Sequence, residues 1–168
     1  DSGSLDDWRV FGNGMWRVEG GAVHQTSTAA GVPTLYLPVA QTGVFVETSF
    51  TLDDVPTTGG LKNFGTIVAL ATGPNTGAGY YCRAVDDPTT FGGGTLDLQT
   101  LRGPQNPQDE DSADLGDGLE IGARYDLAQS MSAGTITCAI ASTDLPGGTA
   151  SVSADDNTYG SGFVALRT

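Results

Sequence analysis

An all-β sandwich of two antiparallel sheets is the fold class this sequence predicts, and three observations carry it. Short segments with period-2 alternation recur roughly every eight to twelve residues, separated by glycine, proline, asparagine or aspartate. No window holds a sustained 3.6-residue apolar repeat, so helix is scarce. Composition agrees, with 25 glycines among 168 residues and abundant threonine, as expected of a chain with many turns.

Two segments anchor the reading. Residues 79–86 read Gly-Tyr-Tyr-Cys-Arg-Ala-Val-Asp and carry one of the two cysteines. In residues 135–141, Ile136, Cys138 and Ile140 fall on one side and Thr135, Thr137 and Ala139 on the other, the pattern of a half-buried strand. If Cys82 points at the same core as Cys138, Tyr80 and Ala84 go inward with it while Tyr81, Arg83 and Val85 face outward. The matching phase predicts a Cys82–Cys138 disulfide, worth about 4 kcal/mol on the chain-entropy model. The alternative is two buried thiols acting as small hydrophobes.

The remaining elements follow in order. Residues 7–11 and 15–19 read as short strands around Gly12-Asn13-Gly14, an expected hairpin turn, and Gly20-Gly21 turns into 22–26. Trp8 and Trp16 read as core or edge anchors. A strand over 34–37 is expected to close at Pro38. Residues 44–52 place Val44, Val46, Phe50 and Leu52 on one face and Phe45, Glu47, Ser49 and Thr51 on the other. Residues 53–60 form a loop by their breakers. A nearly continuous apolar strand over 66–71, the cysteine strand and a strand over 95–101 then make a meander of three. Residues 103–118 read as a loop with an acidic cluster, and 119–121, 125–131, 135–141, 149–154 and 163–168 as strands.

Charge excludes several functions. A formal charge of −13, with Lys62 the only lysine, leaves no basic patch for nucleic acid or an anionic membrane surface. No apolar run approaches the ~18 residues of a membrane span. The chain begins at Asp1 as a processed chain would, and an expected disulfide with few lysines points to a secreted or cell-surface protein. There is no N-x-S/T sequon.

The opening Trp-Arg-Val-Glu-Gly-Gly-Ala at 16–22 resembles the entry of bacterial concanavalin A-like, laminin G-like domains. The long strand at 44–52, the Gly-Tyr-Tyr-Cys-Arg-Ala-Val stretch, the hairpin at 125–141 and the closing segment at 156–168 recur there in the same order. The resemblance spans nearly the whole chain. It implies one jelly-roll domain over 1–168 with a convex and a concave sheet, a structural calcium near the chain ends, and glycan binding on the concave face or rim. The glycosidases of that fold carry an E-x-D-x-x-E strand, which this chain lacks. It also lacks a G-x-S-x-G elbow, a phosphate loop and a zinc-ligand set, having His24 as its only histidine.

The leading expectation is therefore a non-catalytic module binding a glycan or polysaccharide. Tyr81, Arg83, Asp97 and Gln99 form its expected platform, the tyrosine face packing on a pyranose and the polar groups meeting hydroxyls. The alternatives are an ordinary cross-strand charge pair on a solvated sheet, a hydrolase with an unfamiliar carboxylate pair such as Asp86 and Asp97, and a structural or adhesive surface domain. For calcium, the resemblance implies Asp155 and Asp156 as ligands, with Glu19 or Glu47 adding an oxygen. Alternatively, 155–157 is a plain turn. Set against an EF-hand, Asp109, Asp111 and Glu120 match positions 1, 3 and 12, but Ala113 and Asp114 depart from it. That segment reads as a solvated loop.

Overall fold

Alternation along the chain produces antiparallel strands and no helix among the described residues, which in this computed structural model are 4–12, 14–26, 33–53, 62–70, 78–87, 93–103 and 107–168, the Asp87 side chain excepted. The strands are β1 (Arg9–Phe11), β2 (Trp16–Glu19), β3 (Ala22–Gln25), β4 (Thr34–Gln41), β5 (Phe45–Thr51), β6 (Lys62–Leu70) and β7 (Ala78–Asp87). They continue as β8 (Gly93–Arg102), β9 (Pro107–Asp114), β10 (Arg124–Ser132), β11 (Thr135–Ala141), β12 (Thr149–Asp155) and β13 (Gly162–Arg167). A seven-stranded sheet has the order β1-β4-β13-β6-β7-β8-β9 and a four-stranded sheet the order β12-β11-β10-β5, with β2 and β3 pairing separately. Crossovers between the two sheets make the fold a jelly-roll sandwich.

The main core lies between the sheets. Tyr80, Cys82 and Ala84 of β7 and Leu96 and Leu98 of β8 meet Tyr125 and Leu127 of β10 and Ile136, Cys138 and Ile140 of β11. Phe50 of β5 stacks on Phe64 of the opposite sheet at 4.4 Å between centroids. A disulfide joins Cys82 to Cys138 across the layers, with Cα atoms 5.5 Å apart, so the expected bridge is present. Beside it, the Thr66 hydroxyl donates to Gln129 Oε1 at 2.8 Å and Gln129 Nε2 donates to the Tyr80 carbonyl at 3.0 Å, which satisfies a glutamine with no solvent exposure.

The apolar run of β6 has a specific cause. Phe163 pairs with Leu70 but Ala165 with Ile67, so β6 carries an extra residue, with Ala69 at φ 52°. Ile67 and Leu70 consequently both reach the outer face while Val68 and Ala69 both reach the core. Gly79 and Gly162 pack on this bulge; a Cβ on Gly79 would meet the Val68 carbonyl oxygen at 3.0 Å.

Four expectations are corrected. The acidic segment expected as a loop is the edge strand β9, because β8 supplies backbone partners from Thr95 to Leu101. Residues 119–121 form no strand; the Leu119 amide and carbonyl are tied instead to Asp86 and Lys62. β1 does not pair with β2: it joins β4, while β2 pairs with β3 through Gly20 and Gly21 at φ 60° and 82°. Asn13 itself lies outside the described residues. β4 continues past Pro38 because β1 pairs only with Thr34 to Tyr36, leaving no described strand on that side to need a proline N–H. Trp8 and Trp16 are half-buried and belong to neither core cluster. The loop expected over 53–60 lies almost wholly outside the described residues.

Candidate functional site

Register decides which side chains share the outer face of the seven-stranded sheet. One cross-strand row runs from Tyr36 through Ala165, Ile67 and Tyr81 to Gln99 and Asp109. The next runs from Thr34 through Arg167, Gly65 and Arg83 to Asp97. The four expected platform residues therefore sit together, Tyr81 opposite Gln99 and Arg83 opposite Asp97.

Their surroundings differ from a solvated sheet. Tyr81, Asp97 and Gln99 are only 3%, 7% and 3% exposed. Arg83 is the more open member, and its Nε and Nη2 donate to Asp97 Oδ2 at 3.0 and 2.8 Å. Gln99 Nε2 donates to Asp109 Oδ1 at 2.5 Å. The Tyr81 ring leans over Gly65, where an added Cβ would lie 2.5 Å from ring Cε2, and its hydroxyl donates to Asn63 Oδ1 at 3.2 Å. The Arg167 guanidinium sits over the same ring, 5.2 Å from the centroid. The Tyr81 ring is thus enclosed rather than open for stacking on a pyranose. Burial pushes its hydroxyl pKa up, against the opposing pull of Arg167 and Arg83. Burial likewise lowers the pKa of Arg167.

The less enclosed aromatic surface on this face belongs to Tyr36 and Phe163, whose half-buried rings lie 6.0 Å apart between centroids and pack against the Ile67 and Leu70 cluster. The expected platform omitted Tyr36, Asn63, Phe163 and Arg167. The closing Phe-Val-Ala-Leu-Arg alternation puts Phe163 and Arg167 on one side of β13. Only pairing with β6 identifies that side as the one shared with Tyr81.

The expected calcium ligands are not gathered. Glu19 pairs with Arg17 on the exposed β2–β3 hairpin. Glu47 lies on the outer face of the four-stranded sheet opposite Ala128. Asp155 Oδ1 accepts the Thr135 hydroxyl at 2.8 Å. Asp156 accepts the Thr158 amide at 2.6 Å and the Thr100 hydroxyl at 3.1 Å, so 155–157 does form a turn. Burial works to raise the Asp156 pKa, but hydrogen bonds from Thr158 and Thr100 outweigh it and hold the carboxyl below its usual range. Among the described residues no three His, Cys, Asp or Glu converge, and these carboxylates do not fit a shared calcium. The Asp86 and Asp97 pair also separates: Asp86 is clamped by Lys62 at 2.6 Å on the inner phase of β7, and Asp97 by Arg83 on the outer face.

A shallow trough of about 270 Å³ opens on the other sheet, lined among others by Glu47, Asp126, Ala128, Ala139 and Ser151. The Ser49 hydroxyl, at 2.5 Å, and Arg124 hold the Asp126 carboxyl below its ordinary pKa.

No family model matches the chain, and no curated protein matches it. Solved structures do share its fold. A carbohydrate binding module CBM66 from Bacillus subtilis superposes with a TM-score of 0.72 at 12% identity, covering 96% of this chain and 87% of that one. A Bacillus subtilis protein of unknown function with a galectin-like fold gives 0.67 at 15% identity, over 97% and 83%. The enzymatically active domain of bacteriophage CBA120 tailspike protein 2 gives 0.57 at 15% identity, over 94% of this chain but 25% of that one. At these identities the likeness shows the class of fold alone, a jelly-roll sandwich.

Proposed function

We propose that this chain is a non-catalytic, laminin G-like carbohydrate-binding module of a secreted or surface protein, and that it engages glycan on the outer face of the seven-stranded sheet. The observation that carries the reading is the fixed polar array on that face: Arg83 locked on Asp97, Asn63 on Tyr81, and Arg167 over the Tyr81 ring, beside the rims of Tyr36 and Phe163. Sugar hydroxyls need donors and acceptors whose orientation is set before binding, next to apolar surface for the ring carbons. The structural likeness to a module whose name states carbohydrate binding supports the reading. The disulfide suits an oxidising compartment.

The test is a glycan array followed by calorimetry on the hits. Arg83→Ala should weaken binding by at least about 2 kcal/mol, roughly thirtyfold in Kd. An array with no hit, or hits whose affinity Arg83→Ala leaves unchanged, would overturn the proposal.

One observation favours a hydrolase instead: Glu47 and Asp126 lie diagonally across β5 and β10 in the trough, about 7 Å apart by strand geometry. A general acid, however, needs a raised pKa, and Asp126 is lowered on an open surface. Release of reducing ends from a polysaccharide panel, lost in Glu47→Gln, would establish that reading.

A further inference from the structure

We propose that Arg167 marks a subsite for the carboxylate of an acidic sugar, which deepens and rests on the glycan-binding reading. The guanidinium is an anomaly in this fold. Its Nε is enclosed and has no hydrogen-bond partner among the described residues. No described Asp or Glu forms an ion pair with it, although the chain carries 20 acidic residues and only 7 lysines and arginines. The closest acid along its row, Asp97, has Oδ2 engaged by two nitrogens of Arg83. Partly burying a cation that no described carboxylate pairs costs free energy that a chain so rich in carboxylates has ample means to avoid.

The surroundings hold the charge in place. The Tyr81 ring packs under the guanidinium, and Gly65 contributes no side chain between Arg167 and Arg83 in the row. A guanidinium pinned in this way presents its remaining N–H groups as a planar fork, which matches a carboxylate through two parallel hydrogen bonds. The apolar rims of Tyr36 and Phe163 lie on the same face and suit the ring carbons of the sugar that bears the acid. The ligand class is therefore a uronic-acid-type glycan, bound locally by a molecule whose overall charge opposes it.

The experiment is calorimetry of the full chain with oligogalacturonate, the same oligomer after carboxyl reduction, and a sulfated neutral oligosaccharide. Oligogalacturonate is expected to bind at least about tenfold more tightly than its reduced form, and more weakly as salt rises. Arg167→Gln should erase that preference, and Arg167→Lys, which keeps the charge but not the fork, should lose most of it. Melting curves establish that each variant is folded; if neither is, the preference in the unmutated protein decides. Equal binding of both oligomers, or tighter binding of the sulfated one, overturns the carboxylate subsite and leaves the glycan-binding reading standing. No binding of these probes, with no hit on a wider array, overturns both.

Discussion

Asp156 carries two tasks at once. Its amide donates to the Gly134 carbonyl at 2.8 Å, and its carboxylate receives Thr158 and Thr100, tying the β12–β13 turn to the rest of the sandwich. Because its folded pKa is lowered, its contribution is present above the unfolded value near 3.8 and is lost as pH falls through the folded value. Asp156→Asn should cost about 1 to 2 kcal/mol at neutral pH, a drop of several degrees in Tm, and should flatten stability against pH below about 4. Thermal melts across pH 2 to 7 measure both effects; an unchanged acid limb would show that other carboxylates dominate it. Gly65 is the second sensitive position. A methyl there collides with the Cys82 carbonyl oxygen and the Tyr81 ring, so Gly65→Ala should destabilise by about 1 to 3 kcal/mol. Loss of the Arg167 contact should accompany it, visible as altered Tyr81 near-ultraviolet dichroism.

Among the elements, β9 is the least strand-like in sequence, with Asp109, Glu110, Asp111 and Asp114 in eight residues. It forms a strand because the open edge of β8 offers a ladder, and its charges suit an edge. Leu98 pairs with Asp111 but Gln99 with Asp109, so Glu110 is the extra residue of a bulge. Exposed like charges and a bulge are both devices that block edge-to-edge pairing. Replacing Glu110 with Val should therefore change Tm little while promoting concentration-dependent association, read by size-exclusion chromatography with light scattering. A variant that stays monomeric at high concentration would count against a protective role for this residue.

For the molecule as a whole, the disulfide closes a separation of 56 residues between the two sheets. Replacing both cysteines with alanine should cost about 4 kcal/mol in the chain-entropy picture, with a further loss from the small cavities left at two fully buried positions. Denaturant titration of the double variant tests this; a loss below about 1 kcal/mol would show that the core alone holds the layers together. Calcium is expected to have little effect, because Glu19 on β2, Glu47 on β5 and the adjacent Asp155 and Asp156 at the end of β12 form no cluster among the described residues, and three of the four are already hydrogen-bonded or ion-paired. A rise of several degrees in Tm on adding calcium to metal-stripped protein would place ligands elsewhere in the chain.

Alternation by itself determined the strands whose two faces differ in polarity. It set the inward phase of Cys82 and Cys138, and hence the bridge, and it set the outward phase of Tyr81, Arg83, Asp97 and Gln99. It did not reveal β9, since an edge strand draws its structure from a neighbour rather than from its own residues. Nor did it show that β1 bypasses β2 for β4, a long-range choice made by the whole sheet. The candidate site divides in the same way. The phases of β7 and β13 are each legible, but Arg167 meets Tyr81 only because β6 lies between those strands and brings a glycine to the crossing. Burial of the Tyr81 ring follows from that meeting, and a period-2 pattern holds no information about it, because the pattern gives the side of a strand and not what lies above it.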